Sequence, residues 1–152
     1  MKRNLSFIAI ALLVASCVTQ EVVQTGDGTV SSVTKTSPDY DTWFTGERLR
    51  MDLTLAGNKD EQKVYLKELH REAQWGGSPN SLIDDSGYGQ YFIEAFAGDT
   101  LVYSKGFSTL FEEWRTTPQA ERLSVSAGQS LWMPFPKDTV HLVLYQRERA
   151  TG

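Results

Sequence analysis

Cysteine and histidine are scarce in this chain of 152 residues, which has one cysteine and two histidines. A single thiol cannot form an internal disulfide, so the fold must be held together by its hydrophobic core. No apolar run reaches the roughly 20 residues that a membrane-spanning helix needs. Basic residues are also in deficit, with 15 Lys and Arg against 19 Asp and Glu, which makes nucleic acid a poor candidate partner.

The motifs of several enzyme classes are missing as well. The helix of zinc proteases carries two histidines four residues apart, but position 74, four residues after His70, is glutamine. No serine lies in a Gly-x-Ser-x-Gly turn, and the segment from Asp84 to Gly87 lacks the spaced oxygen ligands of a calcium loop. We therefore expect no catalytic residue, no cofactor and no metal ligand at His70 or His141, and we interpret Glu112-Glu113 as a solvated pair.

Residues 1–16 have the pattern of an export signal. Lys2 and Arg3 precede an apolar run from Leu5 to Ala15. The segment from Val14 to Cys17 resembles the lipobox of bacterial lipoproteins, in which the chain is cut before the cysteine and the thiol is acylated. We expect Cys17 to become the lipid-bearing N-terminus that anchors the mature protein in the bacterial cell envelope. An ordinary signal with an incidental cysteine is the alternative.

Residues 17–39 read as a flexible tether that starts at the lipidated Cys17. They are rich in Ser, Thr and Gly and contain no run that could bury one face. A short strand through Val30 to Val33 is the alternative. Val18, rather than aspartate, follows the cysteine, and by resemblance to Gram-negative sorting rules this permits export to the outer membrane. The acyl chains are expected to supply the membrane contact.

From Tyr40 onward the sequence alternates with a period of two. Apolar and polar residues alternate from Leu49 to Leu55, which is typical of a half-buried strand. A turn is predicted at Gly57 to Asp60. A second strand is predicted from Gln62 to Leu69, although the Glu and Lys content of this segment also fits a helix.

Later segments add four more predicted strands. They are Tyr91 to Phe96 and Thr100 to Phe107, which flank a hairpin turn, followed by Arg122 to Trp132 and Thr139 to Arg147. The last one is apolar on both faces, which predicts a central strand. Six or seven short strands without a long amphipathic helix predict an all-β fold, a single antiparallel, immunoglobulin-like β-sandwich over residues 40–150.

Aromatic residues are frequent, with 4 Trp, 6 Tyr and 7 Phe. A small domain without disulfides needs such large side chains in its core, and we expect Phe107, Phe111, Trp114 and Trp132 to lie there or to cover it. Trp75, in a glycine-rich loop, is expected to be the most exposed. If the domain binds a ligand such as a glycan, Trp75 is the predicted contact.

Several ordered motifs in the domain carry a resemblance to a known family. In chain order they are Tyr40 to Arg50, Trp75 to Ser78, Asn80 to Asp84, Tyr103 to Ser108, Phe111 to Thr117 and Trp132 to Lys137. Together they resemble the N-terminal domain of the IgA-cleaving zinc metallopeptidase family over about residues 40–148.

The resemblance implies a β-sandwich that precedes a separate catalytic domain with a His-Glu-x-x-His zinc site. The sequence ends at Gly152, where that domain would begin, and no catalytic residue of the family has a counterpart here. We therefore expect a surface-tethered, non-catalytic module that packs against a peptidase catalytic domain or another protein. A glycan- or host-protein-binding lipoprotein module is the alternative, and an enzyme comes third. Exposed aromatics with polar neighbours would favour glycan binding, and a large apolar patch would favour docking.

Overall fold

The computed structural model of the chain describes residues 38–147. The predicted export signal, Cys17, the tether up to residue 37 and the alternative strand through Val30 to Val33 lie outside these residues. Within residues 38–147, no helix has both the length and the apolar character that crossing a membrane requires.

Six β-strands and two short helices make up the described part of the chain. In order they are α1 (Tyr40–Trp43), β1 (Phe44–Gly57), β2 (Gln62–Glu72), β3 (Tyr91–Ala97), β4 (Thr100–Phe107), α2 (Leu110–Trp114), β5 (Val125–Pro136) and β6 (His141–Gln146), with a 3₁₀ turn at Pro118–Glu121. The strands form two antiparallel sheets, β2-β1-β5, which we call sheet I, and β4-β3-β6, which we call sheet II. Each sheet belongs to its own compact unit of the chain. The predicted all-β fold is confirmed, with the two antiparallel sheets that a β-sandwich contains.

The central strand of sheet I, β1, buries one face. Successive side chains of a strand point to opposite sides, so the apolar half of the alternation faces inward. Its inward residues are each at most 9% exposed: Leu49, Met51, Leu53 and Leu55. Full burial of a side chain of this size stabilises a fold by about 1.5–3 kcal/mol. The strand predicted from the alternation is therefore confirmed, and it extends further at both ends.

A β-bulge in β2 preserves the polar outer face of sheet I. The register pairs Asp52 with Glu68 and Thr54 with Tyr65, so two steps along β1 match three steps along β2, and Lys67 is the extra residue. Because the bulge shifts the alternation by one residue, the polar side chains on both sides of it stay on the same face. The same shift interrupts the alternation of β2 in the sequence, although the strand that we predicted there is confirmed.

A buried arginine connects the β1–β2 turn to α2. Arg115 is 6% exposed. Its Nε donates a hydrogen bond to the carbonyl of Asn58 at 2.7 Å and its Nη2 donates to the carbonyl of Lys59 at 3.0 Å. Its Nη1 donates to Gln62 Oε1 at 2.6 Å and to the carboxylate of Glu112 at 2.9 Å. One side chain thus satisfies two turn carbonyls and neutralises a buried acid.

Helix α2 places that acid inside the fold. The hydroxyl of Thr109 caps the helix by accepting a hydrogen bond from the backbone N–H of Glu112 at 3.2 Å. Phe111 is buried, as predicted, and its ring stacks on Trp114 with centroids 5.7 Å apart. Glu112 is only 7% exposed, whereas Glu113 is exposed. The interpretation of both as solvated is therefore wrong for Glu112, because adjacent residues of a helix face different sides.

Sheet II has β3 at its centre. The predicted hairpin is confirmed, and its turn contains Gly98 at a φ of 57°, a left-handed conformation that favours glycine. Its most buried residues include Tyr91, Ile93, Ala95, Val102 and Tyr103. Burial, aided by the charge of Asp84, raises the pKa of Tyr103 to about 12.

Strands β5 and β6 lie at sheet edges, and the position of β6 tests the prediction of a central strand. β6 lies at an edge of sheet II, next to β3, so the prediction of a central strand is wrong. Its outward residues, Val143 and Tyr145, are partly covered, which accounts for the apolar pattern on both faces. β5 lies at an edge of sheet I and ends at Pro136. An edge strand tolerates Pro134 and Pro136, whereas a central strand would not, because proline cannot donate to a sheet ladder.

The loop before β3 packs tightly on the backbone of β4. The carboxylate of Asp84 accepts hydrogen bonds from the backbone N–H groups of Ser86 at 3.0 Å and of Gly106 at 2.9 Å. A Cβ on Gly106 would lie 1.9 Å from the carbonyl oxygen of Tyr88, and a Cβ on Gly89, whose φ is 105°, would lie 2.6 Å from a backbone nitrogen of β4. Burial alone would raise the pKa of the Asp84 carboxyl, but the hydrogen bond from the Ser86 hydroxyl, the two backbone hydrogen bonds and the charge of Lys105 together lower the pKa.

We predict that Arg115→Met destabilises the protein by about 3–5 kcal/mol, because it removes the guanidinium that pairs with the buried carboxylate of Glu112. Urea unfolding followed by circular dichroism measures this loss. The double change Arg115→Met with Glu112→Leu should recover part of it, since it removes the buried carboxylate as well.

The exposed pair of Lys59 and Glu121, whose side-chain nitrogen and oxygen are 2.7 Å apart, provides the control. Lys59→Met should lower the free energy of unfolding far less than Arg115→Met, because exposed ion pairs contribute little to stability. Equal losses for Lys59→Met and Arg115→Met would refute the structural role of the buried pair.

Candidate functional site

The outward face of sheet I carries a continuous set of interacting polar side chains, which we call the polar face. It consists of Arg48, Arg50 and Asp52 on β1, Glu68, His70 and Glu72 on β2, and Ser130 and Trp132 on β5. The antiparallel register places each β1 residue opposite a β2 residue of the set. The apolar residues of the same strands occupy the other face, so the two-residue alternation produces this site.

Two arginines share one carboxylate at one end of the polar face. Arg48 forms an ion pair through Nε with Oε2 of Glu72, and Arg50 donates from Nη1 to Oε1 at 2.7 Å. The guanidinium of Arg50 also lies 3.2 Å from Oδ2 of Asp52. Because these side chains are partly exposed, each pair contributes only about 0–1 kcal/mol, and their main effect is to fix the orientation of the side chains.

Asp52 is the centre of the polar face. The hydroxyl of Ser130 donates a hydrogen bond to Oδ1 at 2.7 Å. This hydrogen bond, opposed by burial and reinforced by the charge of Arg50, holds the pKa of the Asp52 carboxyl below its usual value. The side chain is therefore a carboxylate at neutral pH, with one oxygen held by Ser130.

His70 lies between two carboxylates. Its Nε2 is 2.9 Å from Oε2 of Glu68 and 3.4 Å from Oδ2 of Asp52. In residues 38–147, these three side chains are the group whose ligand atoms lie close enough together, within 4.8 Å of one another, to hold a metal ion. No sequence motif marks this group, because cross-strand register rather than helical spacing brings the residues together. The expectation that no metal binds stays a prediction.

Trp132 marks the β5 side of the polar face. It is 43% exposed, and the guanidinium carbon of Arg48 lies 6.0 Å from the centroid of its ring. A contact of this kind contributes about 0.5–1 kcal/mol at an exposed position. The prediction that Trp132 fills or covers the core is wrong, because the alternation of β5 turns the next residue, Met133, inward, where it is fully buried.

Trp75 and Cys17 are the two remaining predicted site residues. Trp75 is half-buried, its backbone N–H donates to the carbonyl of Gly46 at 2.9 Å, and its ring lies so close to Gly77 that a Cβ there would be 2.2 Å from it. It is thus packed on its own loop and is less exposed than Trp132, so the expectation that it is the most exposed aromatic is wrong. Its role as a ligand contact stays a prediction. Cys17 lies outside the described residues, so its lipidation also stays a prediction.

The described structure is that of an all-β domain whose longest helix, α2, has five residues. This is not the architecture of a zinc-protease catalytic domain, whose two histidines lie four residues apart on one helix. The family model described as peptidase M64 N-terminus matches residues 39–152, which is more than half of the chain. The chain therefore belongs to the peptidase M64 N-terminus family, and the resemblance seen in the sequence is confirmed. No curated protein matches the chain significantly.

The neighbouring residues Trp132 and Met133 provide a test of the two faces of β5. Trp132→Ala should cost about 1 kcal/mol or less, since it removes an exposed ring and one cation–π contact. Met133→Ala should cost about 2–5 kcal/mol, because it opens a cavity in the core. Thermal or urea unfolding of both variants measures the difference. A larger loss for Trp132→Ala than for Met133→Ala would contradict the assignment of the faces.

Proposed function

We propose that the protein is a non-catalytic, surface-tethered module of the M64 peptidase family that acts by packing against a peptidase catalytic domain or by binding another protein. The observation that supports this is the family match, because residues 39–152 correspond to the region described as the N-terminus of these peptidases. All of the described strands lie within the matched residues.

The placement of the histidines supports a role other than proteolysis. His70 lies on β2 of sheet I, and His141 lies on β6 of sheet II. Helices α1 and α2 have four and five residues, and neither contains a histidine. The described residues therefore offer no helix that presents two imidazoles to one zinc ion, as the protease motif requires.

We predict that the purified full chain does not cleave immunoglobulin A. Incubation with the antibody, followed by gel electrophoresis, measures cleavage, and a zinc peptidase that cleaves immunoglobulin A serves as the positive control. Cleavage that a metal chelator stops and that His70→Ala abolishes would overturn the non-catalytic assignment. Packing against a catalytic domain is measured separately, by adding an M64-family catalytic domain to the chain and following complex formation by calorimetry.

A lipid anchor completes the proposed function. The segment from Val14 to Cys17 follows an apolar run and has the residue pattern that lipoprotein processing uses. One acyl chain binds a membrane weakly, and stable anchoring needs two or more. Acylation of Cys17 would therefore place the domain at the surface of the cell envelope, with the following residues as a tether.

We predict that Cys17→Ala abolishes fatty-acid labelling and leaves the precursor uncut. Metabolic labelling in a bacterial host, followed by membrane fractionation, measures both effects. Ser16→Ala is the matched control, because it keeps a small residue before the cut and should be processed normally. Membrane retention of an unlabelled Cys17→Ala chain would refute the lipid anchor.

The polar face supports the interaction part of the proposal. Its charges alternate in sign between Arg48, Glu72, Arg50 and Asp52, and their mutual ion pairs keep the side chains in fixed positions. A patterned set of fixed charges selects partners by complementarity more than it adds affinity. A protein partner with a matching charge pattern would fit this surface.

Glycan binding is the second candidate function, and the exposure of Trp132 favours it. An exposed indole next to charged and hydroxyl groups is the combination that can stack on a sugar ring and hydrogen-bond its hydroxyls. If this role holds, Trp132→Ala should lose binding to immobilised glycans at unchanged stability, whereas Tyr65→Ala, which also removes an exposed aromatic, should retain it.

A further inference from the structure

The three side chains around His70 come together across one strand pair. Asp52 on β1 is the register partner of Glu68 on β2, and His70 lies two residues further along β2 on the same face. The bulge at Lys67 bends strand β2 immediately beside Glu68. The backbone of a paired sheet therefore sets the spacing of the three groups.

The distances between the ligand atoms fit a zinc ion. Zinc bonds to imidazole nitrogen and carboxylate oxygen are about 2.0–2.2 Å long, so two ligands of a tetrahedral ion are about 3.4 Å apart. Nε2 of His70 is 3.4 Å from Oδ2 of Asp52 and 2.9 Å from Oε2 of Glu68. The same nitrogen faces both carboxylates, and the three donor atoms lie within 4.8 Å of one another, so small side-chain shifts would bring all three to one ion. The side chain of Glu68 is 52% exposed and free to adjust.

A supporting contact orients the central ligand. The hydroxyl of Ser130 donates to Oδ1 of Asp52 and leaves Oδ2 directed toward His70. Ligating groups in metal sites are held by such outer hydrogen bonds, which are worth about 10–100-fold in metal affinity. Asp52 is also the least exposed of the three, with 19% of its side chain accessible. The site thus has a fixed ligand and two adjustable ones.

The types of ligand select the metal. Calcium and magnesium prefer oxygen ligands only, whereas an imidazole with two carboxylates suits zinc and neighbouring transition metals. The charge of Arg50, 3.2 Å from Oδ2 of Asp52, opposes a cation, so the affinity should be moderate. The geometry points to an unassigned zinc-binding site formed by Asp52, Glu68 and His70, with at least one coordination position open to water or to a group of a partner. This site is separate from any protease zinc motif and does not depend on the proposed function.

Zinc binding to the full chain tests the site, with zinc chloride as the probe. Cys17→Ser serves as the background, because it removes the one thiol that could bind zinc elsewhere. Competition with a chromophoric chelator gives the affinity, and elemental analysis after dialysis gives the stoichiometry. We expect one zinc ion per chain and a melting temperature that rises with zinc concentration. Cobalt added in place of zinc should give the visible absorption of a site with four or five ligands.

The variants separate this site from general surface binding. His70→Ala and Glu68→Gln should each weaken zinc binding about tenfold or more, and both should remain folded because the side chains are exposed. His141→Ala and Glu121→Gln are matched controls that remove an exposed histidine and an exposed, ion-paired carboxylate, and they should bind as the parent does. Equal zinc affinity in His70→Ala and His141→Ala, or no saturable binding by the parent, would overturn the proposal. The three groups would then be only a polar contact of His70 with two acids.

Discussion

The guanidinium of Arg115 is the constraint on which the sheet I unit depends. It donates hydrogen bonds to acceptors in three places: the carbonyls of the β1–β2 turn, the amide oxygen of Gln62 at the start of β2 and the carboxylate of Glu112 on α2. A buried ion pair adds little to stability when compared with apolar residues of the same volume, but it is costly to break. The buried pair therefore gives the observed arrangement of turn and helix a lower free energy than arrangements in which the pair is broken.

That arrangement determines what the outer face of sheet I can present. The turn sets the start of β2, the register follows from it, and the bulge at Lys67 corrects the alternation so that the polar residues remain outside. Charged side chains at these positions form pairs across strands, as Arg48 does with Glu72, and also along one strand, as Arg50 does with Asp52. The individual interactions on this face are weak, but they hold the side chains in defined positions, which suits recognition by a protein. The same register places His70 between two acids.

Much of the fold was predictable from the sequence, because each prediction depended on a local pattern. The alternation from Leu49 to Leu55 and the turn at Gly98 are signals of this kind, and both appear where they were expected. The wrong predictions concern burial and strand order, which depend on contacts that a local pattern does not contain. Trp132 and Met133 are both apolar, and only their direction on β5 decides which is buried. Glu112 is buried because Arg115 is available one helical turn away, and β6 is an edge strand although both of its faces are apolar.

The candidate site was less predictable for the same reason. Its members lie far apart in sequence, as in the contact between Ser130 and Asp52, which are 78 positions apart, and no spacing rule relates them. The family resemblance was readable because it depends on the order of short motifs. Those motifs identify the domain, but they do not reveal which side chains meet across the strands of sheet I.

The close approach at Gly106 has a consequence for how this domain can change. The position is only partly buried, so a substitution there would be expected to be harmless, yet the carbonyl of Tyr88 occupies the space that any side chain would need. Gly89 faces the same restriction from the backbone of β4. Gly106 therefore packs against the loop that contains Gly89, and Gly89 packs against the strand that contains Gly106. A mutational scan should find that these two positions do not tolerate side chains, whereas exposed positions near them do. Variation in the loop from Asp84 to Gly89 must then occur by changing its exposed side chains, with its path and length unchanged.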